Sequence, residues 1–118
     1  MKIQELSPTG NGVRWHDGRT HKAGAWCASD WSDSKDNCGE YGPIWQYRSV
    51  FHYGTEMIRF VRADFIHVDG QLEPGRWTVV PVSTGWGSVS DQQGVNKVLG
   101  GYDGWYYSRK GGAEYVKR

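Results

Sequence analysis

Several things are scarce in this 118-residue chain, and each scarcity excludes something. No apolar run is long enough to cross a bilayer as a helix, so a membrane partner is not expected. The opening Met1-Lys2-Ile3-Gln4-Glu5-Leu6 lacks the apolar core of a secretory signal, which points to the cytoplasm. There are only two cysteines, Cys27 and Cys38, expected there as reduced thiols. Net charge is only +1, so global electrostatics make no case for nucleic acid. The phosphate-binding Gly-Lys-Ser/Thr, the dinucleotide glycine fingerprint, the nucleophile elbow and the zinc-deaminase pattern are all missing. Neither Ser88 nor Ser90 reads as part of a catalytic triad with a histidine, and no cofactor is expected.

Aromatic residues and glycine are abundant: 7 Trp, 7 Tyr, 3 Phe and 17 Gly. A core short of aliphatics must be built from aromatics. Trp and Tyr also carry a polar group that needs a partner, so some of them belong at a binding surface. The glycines call for many turns. One domain is expected over residues 1–118, with an irregular, loop-rich segment at about 16–43.

Local patterns predict an α+β domain, a mostly antiparallel sheet built from hairpins with one short helix packed on it. Lys2 to Leu6 reads as an edge strand and Val13-Arg14-Trp15 as the start of another. Residues 44–64 read as a hairpin with a type II′ turn at Gly54-Thr55. That register sets Tyr53 opposite Glu56, Phe51 opposite Ile58, Ser49 opposite Phe60 and Tyr47 opposite Arg62. It buries Trp45, Tyr47, Phe51, Ile58 and Phe60 on one face. Asp69-Gly70 signals a type I′ turn. Arg76 to Val82 reads as a strand with Pro81 near its end or on an edge. Residues 105–109 and 113–116 form a last hairpin around Lys110-Gly111-Gly112.

The helix spans about 90–99. Ser90 reads as its N-cap with Gln93 closing a capping box. Val95, Val98 and Leu99 share one face, and Gly100 ends it. The loop before it, Ser83-Thr84-Gly85-Trp86-Gly87-Ser88, sets glycines and hydroxyls at a helix N-terminus, where free N–H groups can meet an anion. Trp86 is expected to be buried; exposed, it would offer a stacking surface.

Phe51-His52-Tyr53-Gly54-Thr55-Glu56-Met57-Ile58, followed by a strand and then Ser83 to Lys97, resembles small bacteriophage-encoded proteins of no assigned activity. The likeness covers about residues 50–100. It implies a phage origin and a place in the host-cell cytoplasm, and it brings no activity with it.

Residues 30–40 are acidic, with Asp30, Asp33, Asp36 and Glu40 against Lys35, and hold Trp31. Such a loop suits a basic host protein, or imitates nucleic acid towards it. His16, His21, Cys27 and Cys38 are acceptable zinc ligands by type, but their spacing matches no zinc module, so no metal is expected. Asp30, Ser32, Ser34 and Asp36 fail the calcium-loop pattern, because Lys35 stands where glycine is needed.

The leading expectation is a phage accessory protein that binds a host protein, an inhibitor of a host defence system or enzyme. Trp26, Trp31, Asp33, Asp36, Thr84, Trp86 and Ser88 are its candidate contacts. The first alternative is a nucleic-acid-binding module using Arg48, Arg59, Lys97, Arg109 and Lys110. The second is a small enzyme or sensor that takes a phosphorylated ligand at the 83–91 loop.

Overall fold

The computed structural model describes residues 1–33 and 42–118. The described residues form eight strands and one α-helix: β1 (Thr20–Ala23), β2 (Trp26–Ser32), β3 (Gly42–His52), β4 (Thr55–Ile66), β5 (Leu72–Glu73), β6 (Thr78–Pro81), α1 (Val89–Leu99), β7 (Trp105–Ser108) and β8 (Glu114–Lys117). The first six form an antiparallel sheet in the order β1-β2-β3-β4-β5, with β6 also paired to β4. β7 and β8 form a separate hairpin. The architecture is α+β, mostly antiparallel with one short helix. Among the described residues, no helix is long and apolar enough to cross a membrane.

The β3–β4 hairpin differs from its expected register. Tyr53 and Gly54 both take positive φ (47° and 80°), so they are the two central residues, and His52 pairs with Thr55. This is type I′ geometry, whose twist matches that of the strands. A bulge then makes room for Met57, so that Val50 faces Ile58 and Arg48 faces Phe60. A one-residue slip exchanges the faces of a strand. The core therefore receives Arg48, Val50 and His52, whereas Trp45, Tyr47 and Phe51 are only half-buried.

Four further segments depart from expectation. Ile3–Leu6 is a 3₁₀ turn that drops Leu6 into the core, not an edge strand, and residues 13–15 belong to no strand. At residues 67–70 the Gly70 N–H bonds to the His67 carbonyl and only Gly70 has positive φ. That is a type I turn closed by a left-handed glycine, not type I′. Within the segment expected to be irregular, β1 and β2 form a regular hairpin. Trp26, Ala28 and Asp30 of β2 point inward in strict alternation.

One hydrophobic cluster unites the inner sheet face (Trp26, Ala28, Val50, Ile58, Phe60, Val79) with Val95, Val98 and Leu99 of α1, with Leu6, and with Tyr107 of β7. Asn96 fixes the second hairpin to the helix. Its amide donates to the Tyr107 carbonyl (3.0 Å) and accepts the Tyr107 N–H (2.7 Å), as a neighbouring strand would. Tyr107 donates its hydroxyl to the Thr84 carbonyl (2.6 Å), and Tyr115 donates to the Ser83 carbonyl (2.7 Å). Burial in this joint, next to Tyr107 and Asp91, raises the Tyr115 phenol far above its ordinary range.

Two buried acid–base pairs cross the core. Arg48, with 0% of its surface exposed, donates from Nε to Asp30 Oδ1 (2.6 Å) and from Nη2 to Oδ2 (2.8 Å). Its Nη1 donates to the Leu6 and Val13 carbonyls (3.2 and 2.7 Å). His21 Nε2 lies 3.0 Å from Asp30 Oδ2, which also accepts the His16 N–H (3.0 Å). The second pair, His52 with Asp91, ties the sheet to the helix N-terminus.

Candidate functional site

The loop from Ser83 to Asp91 is built around one carboxylate. The helix starts two residues earlier than expected: Ser88, not Ser90, is the N-cap, and its Oγ accepts the Asp91 N–H (3.0 Å). Asp91 at the third helical position accepts the Ser88 N–H in return (3.1 Å), closing a capping box. The same carboxylate oxygen accepts the Trp86 N–H (2.9 Å). Its other oxygen lies 2.6 Å from His52 Nδ1. Gly85 must be glycine here, since φ is +62° and a Cβ would sit 3.1 Å from both Asp91 carboxylate oxygens.

Burial on its own pushes the Asp91 carboxyl upward. Hydrogen bonds from His52, Ser88 and Trp86 outweigh that and hold it below the ordinary aspartate value. Asp30 behaves alike: burial raises it, and the bonds from Arg48, His21 and the His16 backbone bring it below the ordinary value. A depressed carboxyl stabilises the fold fully above its unfolded value, 3.8, and loses that contribution as pH falls through the lower folded value. Stability is therefore expected to be flat around neutrality and to drop below about pH 4. Urea midpoints measured along a pH series check this. Asp91→Asn should flatten the acid limb, and a wild-type midpoint that rises on acidification would contradict it.

His52 is clamped above this carboxylate. Its ring stacks on Trp26 (4.1 Å between centroids, 8° between planes) and tilts against Tyr53 (4.7 Å). Nδ1 faces the carboxylate, and in the neutral ring that donates from Nδ1 the lone pair is on Nε2. Nε2 lies 3.5 Å from the Ser90 hydroxyl, which is exposed on the first turn of α1. Ser90, His52 and Asp91 thus stand together although no sequence motif joins them.

The candidate contacts fall into separate places. Trp86 is 87% exposed, not buried as expected. The buried Asp91 carboxylate, not the indole, packs beneath the loop, where it accepts the Trp86 N–H and lies against Gly85. Thr84 and Ser88 flank it, but the Ser88 hydroxyl serves the cap and the Thr84 carbonyl accepts the Tyr107 hydroxyl. Trp26 is 3% exposed and lies in the core against His52, so it is no surface contact. A Cβ at Gly94 would meet its ring at 2.0 Å, which shows how closely the helix packs on it.

Trp31 lies half-buried on the outer sheet face. It stacks on Tyr47 (4.1 Å), donates Nε1–H to Ser49 Oγ (3.0 Å) and lies under the Arg59 guanidinium (5.4 Å). Asp33 is half-buried at the end of β2, and Asp36 lies outside the described residues.

The alternative sites are weakened by this geometry. Arg48 is wholly buried and Arg59 is held bidentately by Glu56 (3.1 and 2.7 Å). Lys97 lies in the last turn of α1, Arg109 bonds to the Gly87 carbonyl and Lys110 lies in the β7–β8 turn. These five form no common basic face. A phosphate at the 83–91 loop would meet N–H groups already taken by Asp91, and the negative charge of that carboxylate. His21 faces the core side with Ala28, while Cys27 faces outward opposite Lys22. Among the described residues no group of three metal-ligating side chains converges, and Cys27 is a free thiol. Cys38 lies outside the described residues.

No family model, no curated protein and no solved structure matches the chain.

Proposed function

We propose that this chain is a phage accessory protein that acts in the host cytoplasm by binding a host protein, with Trp86 as its principal anchor. The observation that carries the reading is the 87% exposure of Trp86 on a loop that the buried Asp91 holds rigid. A large exposed indole on a fixed backbone loses little conformational freedom on docking, and tryptophan is enriched among residues that dominate binding energy. Val82 and Val89, 47% and 48% exposed, extend the apolar character on either side of it in the chain. Inhibition of a host enzyme or defence system is the form of action this surface best suits.

The test is capture from bacterial lysate with tagged protein, wild type beside Trp86→Ala, with and without nuclease. One stoichiometric protein should survive nuclease and be lost with Trp86→Ala, at a cost of about 2 kcal/mol, roughly thirty-fold in affinity. The variant should unfold within about 0.5 kcal/mol of wild type, since the indole packs on nothing it would leave empty. Equal capture by Trp86→Ala would remove the proposed anchor. Capture abolished by nuclease would replace the host protein with nucleic acid.

A further inference from the structure

Beyond binding, we infer that Ser90 is a reactive nucleophile that accepts a small acyl group from a carboxylic ester, with His52 as its general base and Asp91 as the residue that positions His52. The arrangement carries the three relations such chemistry needs: a hydroxyl on a solvent-exposed residue, an imidazole nitrogen facing it, and a carboxylate fixing the other nitrogen. Ser90 Oγ stands 3.5 Å from His52 Nε2, the loose spacing found in such pairs before substrate arrives. His52 Nδ1 stands 2.6 Å from Asp91 Oδ1, and Asp91 is itself fixed by the Trp86 and Ser88 N–H groups. The Trp26 stack fixes the ring plane, so Nε2 stays aimed at Ser90. Val89 and Ser90 occupy the first two helical positions, whose N–H groups have no partner within the helix. Ser90 is exposed on the helix surface, so an ester can approach it from solvent.

Ser90 Oγ bonds to the ester carbonyl carbon while its proton passes to His52 Nε2, and the carbonyl electron pair moves onto oxygen. Collapse breaks the bond to the alcohol oxygen, which takes the proton from Nε2. Water then gives a proton to Nε2 as its oxygen attacks the acyl carbon. The acid leaves and Ser90 regains its hydrogen.

The test is covalent labelling by an alkyl fluorophosphonate, which phosphonylates activated serines, read by intact mass and peptide mapping. A single adduct at Ser90 is expected, absent in Ser90→Ala, and formed about 10²-fold or more slowly in His52→Gln. Because His52 is buried and that variant can fail to fold, the surface variant Ser90→Cys gives a second reading. Peptide mapping should show it alkylated by iodoacetamide at neutral pH faster than the same substitution at exposed Gln93 on the same helix. Absence of an adduct at Ser90, or equal alkylation at positions 90 and 93, would overturn the inference. Neither reading involves a partner protein, so failure here leaves the Trp86 proposal standing, and failure of capture leaves this one standing.

Discussion

Asp30→Ala is expected to be among the most destabilising single substitutions in this protein, costing about 3–5 kcal/mol. The reason lies in what it leaves behind. Arg48 is 0% exposed, and its guanidinium would lose both Asp30 bonds (2.6 and 2.8 Å) while remaining sealed beneath the N-terminal segment. Its bonds to the Leu6 and Val13 carbonyls satisfy hydrogens but do not neutralise charge. The His16 N–H and His21 would lose their acceptor in the same change. Thermal unfolding should show a fall of roughly 12–20 °C at about 4 °C per kcal/mol. The converse matters as much. Replacing both partners, Asp30→Leu with Arg48→Met, should recover much of the loss, since a buried ion pair often does no better than a well-packed apolar one. Recovery by the double variant would show that the cost of the single change is the orphaned charge. An Asp30→Ala melting temperature equal to wild type would mean that Arg48 finds water or another anion, against the burial seen here.

This pair also explains where the sequence misleads. The presence of the β3–β4 hairpin, β6, the helix and the last hairpin is legible from turn residues and periodicity, although the β3–β4 turn centres on Tyr53-Gly54, one residue earlier than the Gly54-Thr55 reading. The register of β3 is not, because its inward line runs Arg48, Val50, His52, which reads as a solvent face. Each base is paired with an acid distant in the chain, Asp30 for Arg48 and Asp91 for His52. No local pattern reveals such a partner. β2 was hidden for the same reason: with Asp30 at an inward position, the alternation Trp26-Ala28-Asp30 reads as a polar loop. At the candidate site the loop is legible from its glycines, but the Ser90–Gln93 spacing points to a cap two residues late. Two overlapping boxes compete, Ser88 with Asp91 and Ser90 with Gln93. The carboxylate wins because Asp91 satisfies Trp86, Ser88 and His52 at once, whereas Gln93 is exposed. The Ser-x-x-Asp spacing was the available signal. The approach of His52 to Ser90 had none, since it depends on the β3 register.

Gly94→Ala is expected to run against the ordinary rule for helices. At an exposed helical site this change stabilises by up to about 1 kcal/mol, because alanine loses less backbone entropy on folding. Here the added Cβ would sit 2.0 Å from Trp26 Cζ2, 2.2 Å from Cε2 and 2.6 Å from Nε1. The indole cannot yield easily. It is 3% exposed, and the His52 ring, itself held by Asp91, is stacked on it at 4.1 Å. Relief must come from lifting α1 off the sheet or turning Trp26 from its place, and overpacking of this kind costs typically about 1–3 kcal/mol. Both routes also move His52 away from the helix N-terminus that carries Ser90. Equilibrium unfolding in urea should show a lower midpoint with an unchanged slope, together with a shift in the tryptophan fluorescence of the folded state. A midpoint at or above that of wild type would show that the helix stands farther from Trp26 than this packing requires. It would also loosen the geometric case for His52 as a partner of Ser90, because the same contact positions both.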